Sequence, residues 1–181
     1  MNKLAIALSA ALAIGASFSA SAQSGTITFN GEITATTCTI TWPGSGGTAT
    51  DPIVTLPTVP TTALAAPGVT AGKRTVSLVI GGPGAQCTSG LAAIELNPNR
   101  DANQANGYLN NTATVDPATN VQIALRDAND APINISTPWR SAEIDLTTTQ
   151  QIDFAAEYRS TTAAAGAGNV TANVGYTIDY K

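Results

Sequence analysis

Residues 25–33 alternate strictly, with Ile27, Phe29, Gly31 and Ile33 on one side and Thr26, Thr28, Asn30 and Glu32 on the other. A period of two, written in β-branched and aromatic residues, predicts a half-buried strand. The same period returns along the chain. Cys38 and Ile40 carry it in 35–42, and Val76, Leu78 and Ile80 in 73–80. In 91–96, Leu91, Ala93 and Glu95 oppose Ala92, Ile94 and Leu96. Val121, Ile123 and Leu125 mark 121–126, and Ile152, Phe154, Ala156 and Tyr158 mark 152–159. The longest alternation comes last: Val170, Ala172, Val174, Tyr176, Ile178 and Tyr180 against Thr171, Asn173, Gly175, Thr177 and Asp179.

Turn chemistry separates these runs. Residues 43–72 hold Pro43, Pro52, Pro57, Pro60 and Pro67 among several glycines, so they read as loops with one edge-like piece at 53–56. Gly81-Gly82-Pro83-Gly84, the polar stretch 98–107, Asp116-Pro117, Asn129-Asp130 and the small residues of 160–168 punctuate the rest. Many short strands at this spacing predict an all-β antiparallel sandwich with Greek-key connections. Its first and last strands are the most regular, and terminal strands sit at sheet edges, where unpaired backbone invites another chain. Neither contains proline, and no lysine or arginine interrupts them before Lys181. A chain built this way is expected to join other chains through its edges.

Composition narrows the setting. Lys3, the apolar run 4–14 and Ala20-Ser21-Ala22 form a signal peptide over residues 1–22, which makes Gln23 the first mature residue. Charged residues are 11% of the chain against a typical ~25%. Without Lys3 the balance is 7 basic to 12 acidic side chains, a net −5 that argues against nucleic acid and anionic membranes. Cys38 and Cys87 are an even pair in an exported chain and read as a disulfide; free thiols or half a metal site are the alternative. The sequence has no histidine, so a metal site lacks its usual partners and a Ser-His-Asp arrangement is excluded. No cofactor is expected. A paired-carboxylate glycosidase has no residues that locate it. Asp127, Asp130, Asp145 and Asp153 lack the spacing of an EF-hand. Trp42 and Trp139 could face a sugar ring, although isolated aromatics in a sandwich more often pack.

Several marks occur together in order. Ile27-Thr28-Phe29-Asn30-Gly31 precedes Cys38, Phe154-x-Ala156-x-Tyr158 follows the cysteines, Gly168 stands fourteenth from the C-terminus and Tyr180 is penultimate. With these marks the chain resembles the subunits of chaperone–usher pili (fimbriae) of Gram-negative bacteria. The resemblance implies an immunoglobulin-like sandwich lacking its last strand, divided here into a donor-strand extension (residues 23–37) and a pilin domain (residues 38–181). It implies that a periplasmic chaperone first fills the resulting groove. At an outer-membrane usher, the extension of another subunit then replaces the chaperone strand, a known mode of strand addition. In that scheme Gly25, Ile27, Phe29, Gly31 and Ile33 are the donor positions. Gly168, Val170, Ala172, Val174, Tyr176, Ile178 and Tyr180 form a groove wall, and the carboxylate of Lys181 is held by chaperone basic residues.

The function implied is a structural subunit polymerising into a surface fibre for adhesion or biofilm formation, with identical or related subunits as partners. A shaft subunit is the first expectation. The 15-residue extension before Cys38 keeps a minor adaptor in view, and a secreted carbohydrate-binding or adhesin domain is the alternative from another class.

Overall fold

The structure, a computed structural model, describes residues 38–81, 87, 89–99, 101–103 and 105–181. The signal peptide, the extension with Gly25, Ile27, Phe29, Gly31 and Ile33, and residues 82–86 lie outside the described residues.

Among the described residues each alternating run contributes a strand, with ends set by its partners. In order they are β1 (Ile40–Thr41), β2 (Gly46–Gly47), β3 (Pro52–Ile53), β4 (Thr70–Ile80), β5 (Leu91–Asn97) and β6 (Leu109–Asn110). Then follow β7 (Val121–Asp127), β8 (Pro132–Ile133), β9 (Trp139–Arg140), β10 (Ile144–Asp145), β11 (Gln150–Ser160) and β12 (Gly175–Tyr180). Strand β4 begins three residues before the alternation because its ladder with β11 continues beyond an irregularity between Ala156 and Tyr158.

One sheet runs β1-β4-β11-β7-β6, with β8 also on β7. The second runs β10-β5-β12, with β9 beside β10 on the same edge of β5. All these pairings are antiparallel. The inward positions are those the period selects: Val76 and Leu78 on β4, Ile123 and Leu125 on β7, Ile152, Phe154 and Ala156 on β11 meet Ile94 and Leu96 of β5 in one core. Leu78, Ile94 and Ile135 are fully buried.

Cys38 is joined to Cys87 by a disulfide, as expected, with Cα atoms 5.1 Å apart and a sequence separation of 49. Closing a loop of that size contributes about 4 kcal/mol through the unfolded chain. The proline-rich stretch, which the sequence left without a task, closes one end of the sandwich. Its single helical turn, Thr61–Leu64, buries Leu64 against Val121 and Ala165. Ala165 N donates to Leu64 O at 3.0 Å, and Gly68 N donates to Ser160 O at 3.1 Å.

Candidate functional site

Between the two sheets runs an open groove of about 900 Å³. Residues 50–56 and 170–176 line its sides, and Val76, Leu96, Leu109, Ile123, Leu125 and Phe154 are among the side chains of its floor. Both walls are extended segments. On the first, Pro52, Val54 and Leu56 are half-buried while Asp51, Thr55 and Ile53 face outward, the last 62% exposed. On the second, Val170, Ala172 and Val174 pack against the core, and Asn169, Thr171 and Asn173 are exposed.

The second wall departs from expectation in one respect. The alternation of 170–180 predicts a strand throughout, yet only Gly175–Tyr180 pairs with β5, whose own ladder ends at Asn97. Before Gly175 the backbone is held by other means. Thr171 N donates to Asn111 Oδ1 at 3.0 Å, Thr112 N donates to Thr171 O at 2.8 Å, and Asn173 N donates to Asp101 Oδ2 at 2.8 Å. Asp101, Asn111 and Thr112 hold this backbone, a supporting role that the sequence reading did not give them. They lie in polar loops whose side chains carry no period.

Accounting for backbone groups shows what the wall offers. Lys181 and Leu91 exchange both hydrogen bonds at 2.8 Å. By the alternation of an antiparallel ladder, residues 175, 177 and 179 therefore bond toward β5, and 176, 178 and 180 turn their N–H and C=O groups to the opposite edge. Residues 169, 171 and 173 continue the bonded set. Among the described residues, no backbone hydrogen bond engages 170, 172 or 174, nor 54–56 on the facing wall. One row of main-chain donors and acceptors thus borders an apolar floor. Such groups are normally paired, and a sheet edge in this state is a template for an added strand.

Gly168 stands where this wall begins. Its φ is +148°, and a Cβ there would lie 2.4 Å from Ala118 N and 2.5 Å from Asp116 O. Only glycine lets the chain pass so close to the 116–118 loop, to which Asn169 is then tied by its N–H bond to Asp116 O at 2.7 Å. At the other end, Lys181 is exposed, and its ammonium pairs with Glu143.

Aromatic side chains fill one end of the groove. Trp42 meets Tyr176 edge-on at 5.2 Å and Phe154 at 6.4 Å. Trp42 Nε1 donates to Ala49 O at 2.8 Å, and Tyr176 Oη donates to Ala49 O at 3.0 Å and Thr50 O at 3.1 Å. Tyr176 thereby ties the two walls together at that level. Trp42 is buried and the half-buried Trp139 packs against the core, so both tryptophans serve as packing. The four aspartates do not converge, and among the described residues no group of three His, Cys, Asp or Glu side chains is placed to hold a metal ion.

Burial pushes the phenols of Tyr158, Tyr176 and Tyr180 above the ordinary tyrosine value of about 10. Folding then favours the protonated form. The associated stability is complete below the unfolded-state value and is lost as pH rises through the raised one. Tyr158→Phe keeps the ring and removes the proton. This variant is expected to lose less stability than the parent between about pH 8 and about pH 11 in urea titrations. Equal losses would mean that this phenol carries none of the alkaline dependence.

A two-sheet sandwich with a disulfide at its start and an open strand-wide groove agrees with what known proteins show. The fimbrial protein family model matches residues 27–181. The chain belongs to the fimbrial protein family. It is 35% identical to the major fimbrial subunit SMF-1 of Stenotrophomonas maltophilia over 92% of this chain and 98% of that one. It is 30% identical to a fimbrial protein of Escherichia coli over 94% of each. Among solved structures, a Burkholderia pseudomallei antigen and type I fimbria protein superposes with a TM-score of 0.54 at 22% identity, over 80% of this chain and all of that one. A chaperone–usher pilus structure gives 0.55 at 14% identity, over 88% of this chain and 96% of the other. At such identities these likenesses speak for the fold, and they agree that this subunit is an immunoglobulin-like pilin sandwich. The resemblance read from the sequence is borne out at the level of family and fold. A fimbrial subunit of this kind is structural, not enzymatic.

Proposed function

We propose that this fimbrial subunit polymerises by donor-strand exchange, with residues 25–33 of one subunit occupying the groove of another. The observation that carries the reading is the wall at 170–176, where, among the described residues, no backbone hydrogen bond engages 170, 172 or 174 on the side bordering an apolar floor. The arm has the complementary form, a strand-period segment with Ile27, Phe29 and Ile33 on one side. Burying three such side chains at ~1.5–3 kcal/mol each contributes at most roughly 5–9 kcal/mol, beside the main-chain bonds. Gly31, between Phe29 and Ile33, is a donor position without a side chain, which would suit a bulky part of the lining such as the Trp42–Tyr176 pair.

In this scheme a periplasmic chaperone covers the groove before assembly, with its basic residues on the Lys181 carboxylate, and an outer-membrane usher is where the arm replaces it. The product is a surface fibre for adhesion or biofilm formation. The kinship with a major fimbrial subunit supports a shaft position, which mass spectrometry of sheared fibres tests through the abundance of this subunit. Deleting residues 23–32 is expected to leave a folded, exported subunit and abolish fibres in electron micrographs. Normal fibres from the truncated subunit would overturn the proposal.

A further inference from the structure

The wall at 169–174 outruns its partner strand, and something must hold it straight if it is to receive a donor. The side-chain amide of Asn111 does this in a recognisable pattern. Its Oδ1 accepts from Thr171 N at 3.0 Å while its Nδ2 donates to Asn169 O at 2.9 Å. A residue whose N–H and C=O bond the C=O before a partner residue and the N–H after it is the repeat unit of a parallel ladder. The Asn111 side-chain amide thus stands in for the N–H and C=O of one residue of a neighbouring strand, centred on Val170. The same sense of pairing appears beside it, where Pro117 and Asn169 form an isolated parallel bridge.

Two further contacts extend the support. Thr171 O accepts from Thr112 N at 2.8 Å and from Thr112 Oγ1 at 3.1 Å. One carboxylate oxygen of the fully buried Asp101, Oδ2, accepts both Asn173 N and Asn173 Nδ2 at 2.8 Å. Bonds to a carboxylate are stronger than neutral ones. Asp101 is in turn anchored to the first sheet, since Asn110 N of β6 donates to Asp101 O at 2.7 Å. This half of the wall therefore hangs from the first sheet's edge, although the rest belongs to the second sheet.

We infer that Asn111, Thr112 and Asp101 are positioning residues for strand uptake, holding 169–173 in strand geometry so that 170, 172 and 174 present their backbone to an incoming donor. The inference rests on the donor-strand reading above. Only the 169–174 half of the groove depends on these side chains; the 175–180 half is fixed by β5.

The test measures uptake of a labelled peptide of residues 23–37 by the full-length subunit, with Asn111→Asp as the principal variant. That change keeps the acceptor for Thr171 N and removes the Nδ2 donor, which serves Asn169 O on the wall and Ala118 O, at 3.0 Å, on the neighbouring loop. Its expected effect is about a tenfold slower uptake, the size of one hydrogen bond lost from a receiving strand. Peptides carrying Ile27→Thr or Ile33→Thr locate the effect. The penalty of Asn111→Asp should shrink for the one whose plug lies on the 169–174 half and persist for the other. In amide exchange, the N–H of Asn169, bonded to Asp116 O, should lose protection in the variant while Thr177 and Asp179 keep theirs. If Asn111→Asp does not fold, Thr112→Val, which removes only the hydroxyl bond, is expected to give the same end-specific pattern at smaller amplitude. Unchanged uptake, or a penalty equal for both altered peptides, would overturn the inference. Failure of the unaltered subunit to take up the unaltered peptide would instead overturn the donor-strand reading.

Discussion

Phe154→Ala is expected to cost about 3–5 kcal/mol of unfolding free energy, seen as a lower urea midpoint with an unchanged slope. The ring sits in the middle of β11, the central strand of the larger sheet, where Phe154 is opposite Val76 on one side and Asp127 on the other. It is 7% exposed and meets the Trp42 indole edge-on. Removing it leaves a hole that β11 cannot collapse into, because ladders on both edges fix that strand. The aromatic contact adds to the burial lost. Phe154 also lies in the groove floor, so water can enter the space, which places the cost toward the lower end of the range. Phe154→Leu, which keeps most of the volume, should cost less than half as much. A loss below ~1 kcal/mol for alanine would show that the floor is not packed as described.

The second large effect concerns a charge pair on the opposite face of the same sheet. Arg126 Nε donates to Glu157 Oε1 at 2.5 Å, with the Glu157 side chain 6% and the Arg126 side chain 26% exposed. The hydrogen bond it donates to Glu157 raises the arginine above its ordinary value, and burial opposes it. Arg126→Met would leave the Glu157 carboxylate buried without its cation. Removing one partner of a buried pair costs about 3–5 kcal/mol, and this arginine's partial exposure favours the lower end. The double variant Arg126→Met/Glu157→Met is expected to recover most of that loss, because two well-packed apolar groups of similar size replace the pair at little net cost. A double variant as unstable as the single one would mean that Arg126 acts through its other contacts, such as its bond to Asp130 O at 3.1 Å.

That pair also shows where sequence reading stops. Alternation placed Val76, Leu78, Ile94, Ile123, Phe154 and Ala156 inside, and they are inside. It says nothing of what covers the far face of each sheet, where Gln122, Glu157 and Ala155 lie. They are buried. Loop residues account for part of this, since Asn106 Nδ2 donates to Gln122 Oε1 at 3.1 Å and Arg159 lies 4.3 Å over the ring of Tyr108. A loop with no period of its own gives no sign of where it will lie. The two-residue strands β9 and β10 are too short to show a period at all.

The groove was an expectation that the family resemblance implied, and its apolar lining follows from the alternation of 170–180. The way its wall is held was not. Side chains at 170, 172 and 174 point inward whether their backbone neighbour is a strand or an asparagine, so the pattern cannot distinguish the two. The anchors Asp101 and Asn111 are each a single polar residue among many in this asparagine-rich chain.

The disulfide between Cys38 and Cys87 has a mechanical consequence. If load enters through residues before Cys38, as the proposed exchange requires, it meets the covalent link before it meets the first described strand pairing, at Ile40. Strand β1 pairs only Ile40 and Thr41 with β4 and would otherwise peel at low force. With the bond intact, pulling cannot lengthen the 49 residues it spans, which withholds roughly 160–175 Å of contour length at 3.3–3.6 Å per residue. A stretched subunit under oxidising conditions should therefore yield from its C-terminal side, and a reducing environment should convert the same fibre into a softer, longer one.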